Sequence, residues 1–233
     1  MDANILAQDA LSLPVRGDYS RLAAEFEEIR PLFRISTLDN LMDAYGEPGR
    51  FYHNGHHITA LLRLFAKLRE LAIDPVAVKI AIFFHDAVYH IPLDPQFPPP
   101  HDNEERSIKL MLMMANNPEY GSIQRAIALV RATAEHVSGR DIDTRLIHDL
   151  DLSILASSRH RFIAFEQQIR QEYVVYPKAL YLPARMGILR SFLERRRIYA
   201  LGPLVLAWEA KARENLTWAL AEMAQGRLPG ETI

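Results

Sequence analysis

Histidine and aspartate recur in this chain where a helix core should be apolar, and the recurrence is its clearest chemical signal. Three segments carry it: Tyr52-His53-Asn54-Gly55-His56-His57, Phe83-Phe84-His85-Asp86, and His148-Asp149-Leu150-Asp151-Leu152-Ser153. His53 and His57 are four residues apart, so they share a face if their helix begins early enough. A solitary buried histidine is usually a hydrogen-bonded core residue, but three such segments in one chain shift the reading toward a site. An unpaired buried carboxylate is expensive, and a divalent cation would neutralise Asp86 and Asp151 together. Two imidazoles with two carboxylates suit divalent Mn, Fe, Co, Ni or Zn, and suit Mg less well. Four protein ligands leave two positions on an octahedral ion for water and a substrate oxygen.

Helices have to position these groups. Leucine (30) and alanine (28) far outnumber valine (9) and threonine (6), a balance that favours helix over sheet. Ser36 is placed to cap a helix over 36–45, which the run Gly46-Glu47-Pro48-Gly49 breaks. Ile58, Leu61, Leu62, Phe65 and Leu68 recur at helical spacing between about 56 and 71. Asp74-Pro75 opens a largely apolar helix over 75–89, which belongs at the centre of the fold. After a proline-rich loop, Asp102 or Asn103 caps a helix through about 115. Further helical patterns cover roughly 121–137, 142–156, 158–175, 178–199 and 204–224, and no window alternates with a period of two. The expectation is one all-α domain over 1–233, with a motif-bearing core at about 36–156 and C-terminal helices at about 158–224 packed on it.

Composition limits the function classes. The 233 residues are 49% hydrophobic and 24% charged, with nine histidines and no cysteine. Disulfides, thiolate zinc sites and cysteine nucleophiles are therefore excluded, and any metal must be held by nitrogen and oxygen. A net charge of −2 gives no reason to expect nucleic-acid or membrane-surface binding. The N-terminus lacks the basic start and apolar run of a signal peptide, and no stretch reaches the roughly 18 apolar residues of a membrane span. A cytoplasmic protein is the simplest expectation.

A histidine, a later adjacent His-Asp pair and a still later aspartate form a pattern that resembles the ligand set of the HD superfamily of metal-dependent phosphohydrolases. The resemblance implies His57, His85, Asp86 and Asp151 as metal ligands in an HD-type helical bundle. The segment YHNGHH is similar to the YHNxxH motif of cyclic nucleotide phosphodiesterases, which implies His53 as proton donor and His57 as ligand. The stretch from about 45 to 220 resembles a bacterial family of predicted metal-dependent HD phosphohydrolases. It does so in YGEPGRFYHNGHHI, FFHDAVY, NEERS, ATAEH, LDLSIL, IRQEY, FLERRRIY and WEAKARENL.

This implies a metal-dependent hydrolase of a phosphomonoester or phosphodiester, with a nucleotide as the expected small-molecule substrate and one divalent metal or two. A homodimer is compatible with it. Many nucleotide-cleaving HD enzymes have a glutamate where this chain has Tyr89, so water activation is expected from Glu104 or Glu105 instead. His136 and Glu105 are candidates for a second metal or for substrate, and His101 reads as a loop residue. Arg50 is a candidate phosphate ligand, and Asp149 a candidate hydrogen-bonding support for the metal ligands. His56, His90, His148 and His160 read as ordinary structural histidines, Met111, Met113 and Met114 as core, and Arg195-Arg196-Arg197 as a charged helix end. Two rival functions are an HD-type di-iron oxygenase, which needs His136 or an equivalent extra ligand, and a metal- or nucleotide-binding module without turnover.

Overall fold

The computed structural model describes residues 18–96, 102–135 and 141–231. The described residues contain ten α-helices and three short 3-10 helices, with no strand and one isolated bridge between Phe33 and Ala115. The all-α expectation holds.

The motif-bearing helices come first in the chain. They are α1 (Tyr19–Phe26), α2 (Thr37–Tyr45), α3 (Gly55–Leu68), α4 (Pro75–Phe84), α5 (Asn103–Met114), α6 (Gly121–Glu135) and α7 (Ile142–Asp151). Helix α4 is the centre. Every residue from Ala77 to Phe84 is buried, with α3, α5, α6 and α7 packed around it. Even Lys79 fits there, because its stem lies in the core while its ammonium reaches Glu25 and Glu28 at 2.9 and 2.7 Å. The remaining helices are α8 (Arg159–Glu172), α9 (Lys178–Glu194) and α10 (Gly202–Ala224). Helix α10 lies against α9 and against a 3-10 turn at Leu152–Ala156. There the Asn215 amide donates to the carbonyls of Leu155 and Ser157. The buried apolar residues form one cluster from Leu22 to Met223.

Several boundaries differ from the sequence expectation for local reasons. Helix α1 has no counterpart in the sequence reading, although Asp18 accepts from the Arg21 amide as its N-cap. Ser36 precedes α2 without a side-chain capping bond, and Asp102 precedes α5 likewise; Asp102 pairs with Arg106 instead. Helix α4 stops at Phe84 rather than 89, and the chain beyond it is held by Arg50, which donates to the carbonyls of Asp86 and Ala87. The pattern at 142–156 is α7 followed by the 3-10 turn. No helix among the described residues is long and apolar enough to cross a membrane.

Candidate metal centre

Three helix ends converge to build the site. Asn54 caps α3 by accepting from the His56 amide at 2.9 Å, and its own amide donates to the Phe51 carbonyl at 2.8 Å. The helix therefore starts at Gly55, with His57 buried in its first turn and His53 outside it. The four-residue spacing does not put the two imidazoles on one helical face, because His53 precedes the cap. His85 follows the last residue of α4, and Asp151 is the last residue of α7.

The ligand atoms of these elements face one another. His57 Nε2 lies 3.1 Å from His85 Nε2. Asp151 Oδ1 lies 3.3 Å from His57 Nε2 and 3.7 Å from His85 Nε2. Asp86 Oδ2 approaches the same two nitrogens at 3.8 and 3.1 Å respectively. His57, His85 and Asp151 offer atoms that all lie within 4.8 Å of one another, so they are able to hold a metal ion. Nitrogen and oxygen donors bind a divalent ion at about 2.0–2.2 Å, which spaces neighbouring donors by about 3 Å. The observed separations are of that size.

Proton bookkeeping also favours a cation. His85 Nδ1 lies 3.1 Å from the Ile82 carbonyl, so Nδ1 carries the hydrogen and the neutral ring leaves Nε2 as a bare lone pair. That lone pair faces a second imidazole nitrogen and two carboxylates. Only a proton or a metal reconciles them. Without a metal the proton is held hard: burial opposes charge on His85, but Asp86 and then Asp151 outweigh it and push the pKa up to about 9. Burial likewise pushes Asp86 up, yet His85 holds it far below the usual carboxylate range. Burial dominates for His57, whose pKa is lowered.

Beside this cluster sits a second arrangement that the motifs pointed to only in part. His53 Nδ1 lies 2.7 Å from Glu172 Oε2, and Glu172 Oε1 accepts from the amides of Tyr52 and His53 at 2.8 and 2.9 Å. Glu172 is fully buried. Burial pushes its pKa up, but His53 and the two amides hold it below the ordinary range. In return, burial lowers His53 and the Glu172 charge more than compensates, so its pKa is raised. The Tyr89 ring stacks on His53 with centroids 3.9 Å apart, and its hydroxyl meets that of Tyr173 at 3.1 Å. Glu172 was not singled out in the sequence. The available signal was a carboxylate on the buried stripe of α8, three residues after Ile169.

A cavity of about 620 Å³ opens over these groups. Asp151, His53 and Glu104 line it at the cluster, and rings of α8, α9 and the turn between them line the rest. Glu104 is half-buried there; burial raises its pKa first, and Asp86 and Asp151 add to that. His90 also lines the cavity, with its Nδ1 2.7 Å from Asn103 Oδ1.

Three expected site residues lie elsewhere in role. Arg50 is buried and donates to the carbonyls of Asp86 at 2.7 Å and Ala87 at 3.1 Å, and through Nε to Glu47. It clamps the chain that leaves α4, so no nitrogen is left for a phosphate. Gly49, at φ 93°, makes the turn that delivers it. Glu105 faces the opposite side of α5, where it pairs with Arg131 on the surface. Asp149 holds the amides of Ala200 and Leu201 and the ring of His148; it supports the C-terminal segment, not the His57, His85 and Asp151 cluster. His136 and His101 lie outside the described residues.

No protein-family model matches the chain, and neither a curated protein nor a solved structure matches it.

Proposed function

We propose that the protein is a metal-dependent phosphoester hydrolase of HD type. The observation that carries the reading is the convergence of His57, His85 and Asp86 with Asp151, which lines the cavity, next to an imidazole oriented by a buried carboxylate. Asp86 is the fourth ligand in this reading, because its Oδ2 already contacts both imidazole nitrogens. A divalent cation held by these residues would supply charge neutralisation on a phosphoryl oxygen and acidify water. Mn, Fe, Co, Ni or Zn suits the donor set best.

The chain's own residues do the rest. Glu104 lines the cavity, and burial raises its pKa, which makes its carboxylate a stronger base than an exposed one for taking a proton from attacking water. The water oxygen bonds to phosphorus, the bond from phosphorus to the leaving oxygen breaks, and His53 delivers its proton to that oxygen. Glu172 fixes the ring through Nδ1, which directs Nε2 at the leaving group. Tyr89 holds the ring plane from the other face.

The deciding experiment measures bound metal and phosphate release from a phosphoester panel, with wild type and Asp86→Ala side by side. The expected result is metal-dependent release by wild type and neither metal nor release in the variant. Wild type that hydrolyses neither phosphomonoesters nor phosphodiesters with Mn, Fe, Co, Ni, Zn or Mg supplied would overturn the proposal.

A further inference from the structure

Hydrocarbon and ring faces dominate the lining of the cavity. Leu152, Ile154, Leu155, Phe165, Ile169 and Phe192 all contribute to it. On α9, Leu180, Ala184 and Ile188 follow at four-residue spacing and line it too. All three are exposed, Leu180 by 61% and Ile188 by 49%, so the cavity opens to solvent beside an apolar stripe. A contiguous exposed apolar surface on the rim of a cavity is a mark of ligand contact.

Positive charge is scarce in the same lining. Among the described residues that form it there is no lysine, and the one arginine, Arg185, is matched by Glu166 at 2.6 and 3.1 Å. His53 is matched by Glu172, and a divalent ion at the cluster would be matched by Asp86 and Asp151. Glu104 adds a further carboxyl group. One phosphoryl group can be met at the cluster. The second and third phosphates of a nucleotide would lie among carboxyl groups and hydrocarbon, and burying such charge unpaired is costly.

We infer that the site takes a phosphomonoester of an apolar alcohol, with its single phosphoryl group at the His/Asp cluster and its hydrocarbon body against the walls. The inference rests on the hydrolase reading for the reaction, whose products here are the alcohol and inorganic phosphate. Binding of the alcohol rests on the lining alone. The cavity of about 620 Å³ lies within the usual small-molecule range of about 300–1,000 Å³.

The test uses the full chain. In the metal-free protein, 1-butanol, 1-hexanol and 1-octanol are titrated by ligand-observed NMR. Each added methylene should tighten binding by about two- to fourfold, the worth of removing one CH₂ from water. Leu180→Lys and Ile188→Lys should each weaken octanol binding at least about threefold through lost apolar contact. Leu206→Lys, at a 91% exposed position of α10 outside the cavity, should change it less than about twofold, which separates the cavity from surface adsorption. In the metal-loaded protein, kcat/KM should rise from butyl to hexyl to octyl phosphate, and octyl phosphate should exceed ATP and glycerol phosphate at least about tenfold.

The inference fails if binding is independent of chain length, if the cavity and control variants bind alike, or if ATP is hydrolysed faster than octyl phosphate. It also fails if light scattering shows a wild-type dimer that either cavity variant turns into a monomer, because a second copy would then occupy the stripe. Chain-length-dependent binding with no hydrolysis of any ester supports the apolar site and defeats the hydrolase reading. Hydrolysis of glycerol phosphate as fast as octyl phosphate defeats this inference alone.

Discussion

His53 and His85 both have raised pKa values, but their surroundings differ in kind. His53 meets one carboxylate, Glu172, whose other oxygen is saturated by two backbone amides. Both Glu172 oxygens and His53 Nδ1 have protein partners suited to them. His85 meets another imidazole nitrogen and two carboxylates, all of them acceptors unless protonated. The first arrangement is held by donors of the chain, while the second gathers two carboxylate oxygens around two facing imidazole nitrogens and needs a proton or a cation between them.

The contrast predicts which half answers to metal, and the largest effects come from the cluster. Adding Mn or Zn to metal-free wild type should raise Tm, by the equivalent of about 2.7 kcal/mol at a hundred times Kd. Asp86→Ala should lose at least about a hundredfold in metal affinity, since even outer hydrogen-bond partners of ligands are worth 10–100-fold, and with it the thermal shift and all hydrolysis. His53→Ala should leave metal content and the shift intact while lowering kcat by about 10²–10⁴-fold, the worth of a positioned acid. Glu104→Gln should behave like His53→Ala. If His53→Ala abolished metal binding, the division between the two halves would be wrong.

A smaller effect sharpens the comparison through pH. The raised pKa of His53 keeps its proton to higher pH than a free imidazole would. Its attraction to Glu172 therefore stabilises the fold fully below the unfolded value of about 6.5 and is lost as pH rises through the folded value. Activity that needs protonated His53 should fall over the same upper window. Glu172→Gln removes the main cause of the upward shift, so the alkaline limb of the kcat/KM profile should move to lower pH. An unmoved limb would assign that limb to another group.

The sequence was most legible where chemistry and helix punctuation coincide. Asn54, the His85-Asp86 pair and Asp151 each stand at a helix end, and the structure brings three of those ends together. Tertiary partners were hidden. Arg50 reads as an anion ligand when its neighbours are histidines, but two carbonyls left free by the end of α4 claim its guanidinium. Glu172 is 119 residues from His53, and no local spacing announces that pairing. Only its place on an apolar stripe of α8 marks it as a carboxylate that must find a partner inside. Helix α1 escaped notice because its apolar residues Leu22 and Phe26 span barely one turn.

Glu104 and Glu105 test the same lesson at the scale of one residue. Adjacent positions on a helix are about 100° apart, so α5 can aim only one of them at the cavity. Glu104 feels Asp86 and Asp151, whereas Glu105 is held by Arg131 and pulled below its ordinary pKa by that bond. Glu105→Gln should therefore leave kcat/KM within about twofold and cost under about 1 kcal/mol in urea melts, the worth of an exposed ion pair. A tenfold loss of activity in that variant would mean that α5 turns the other carboxylate inward when substrate binds, and the two glutamates would exchange roles.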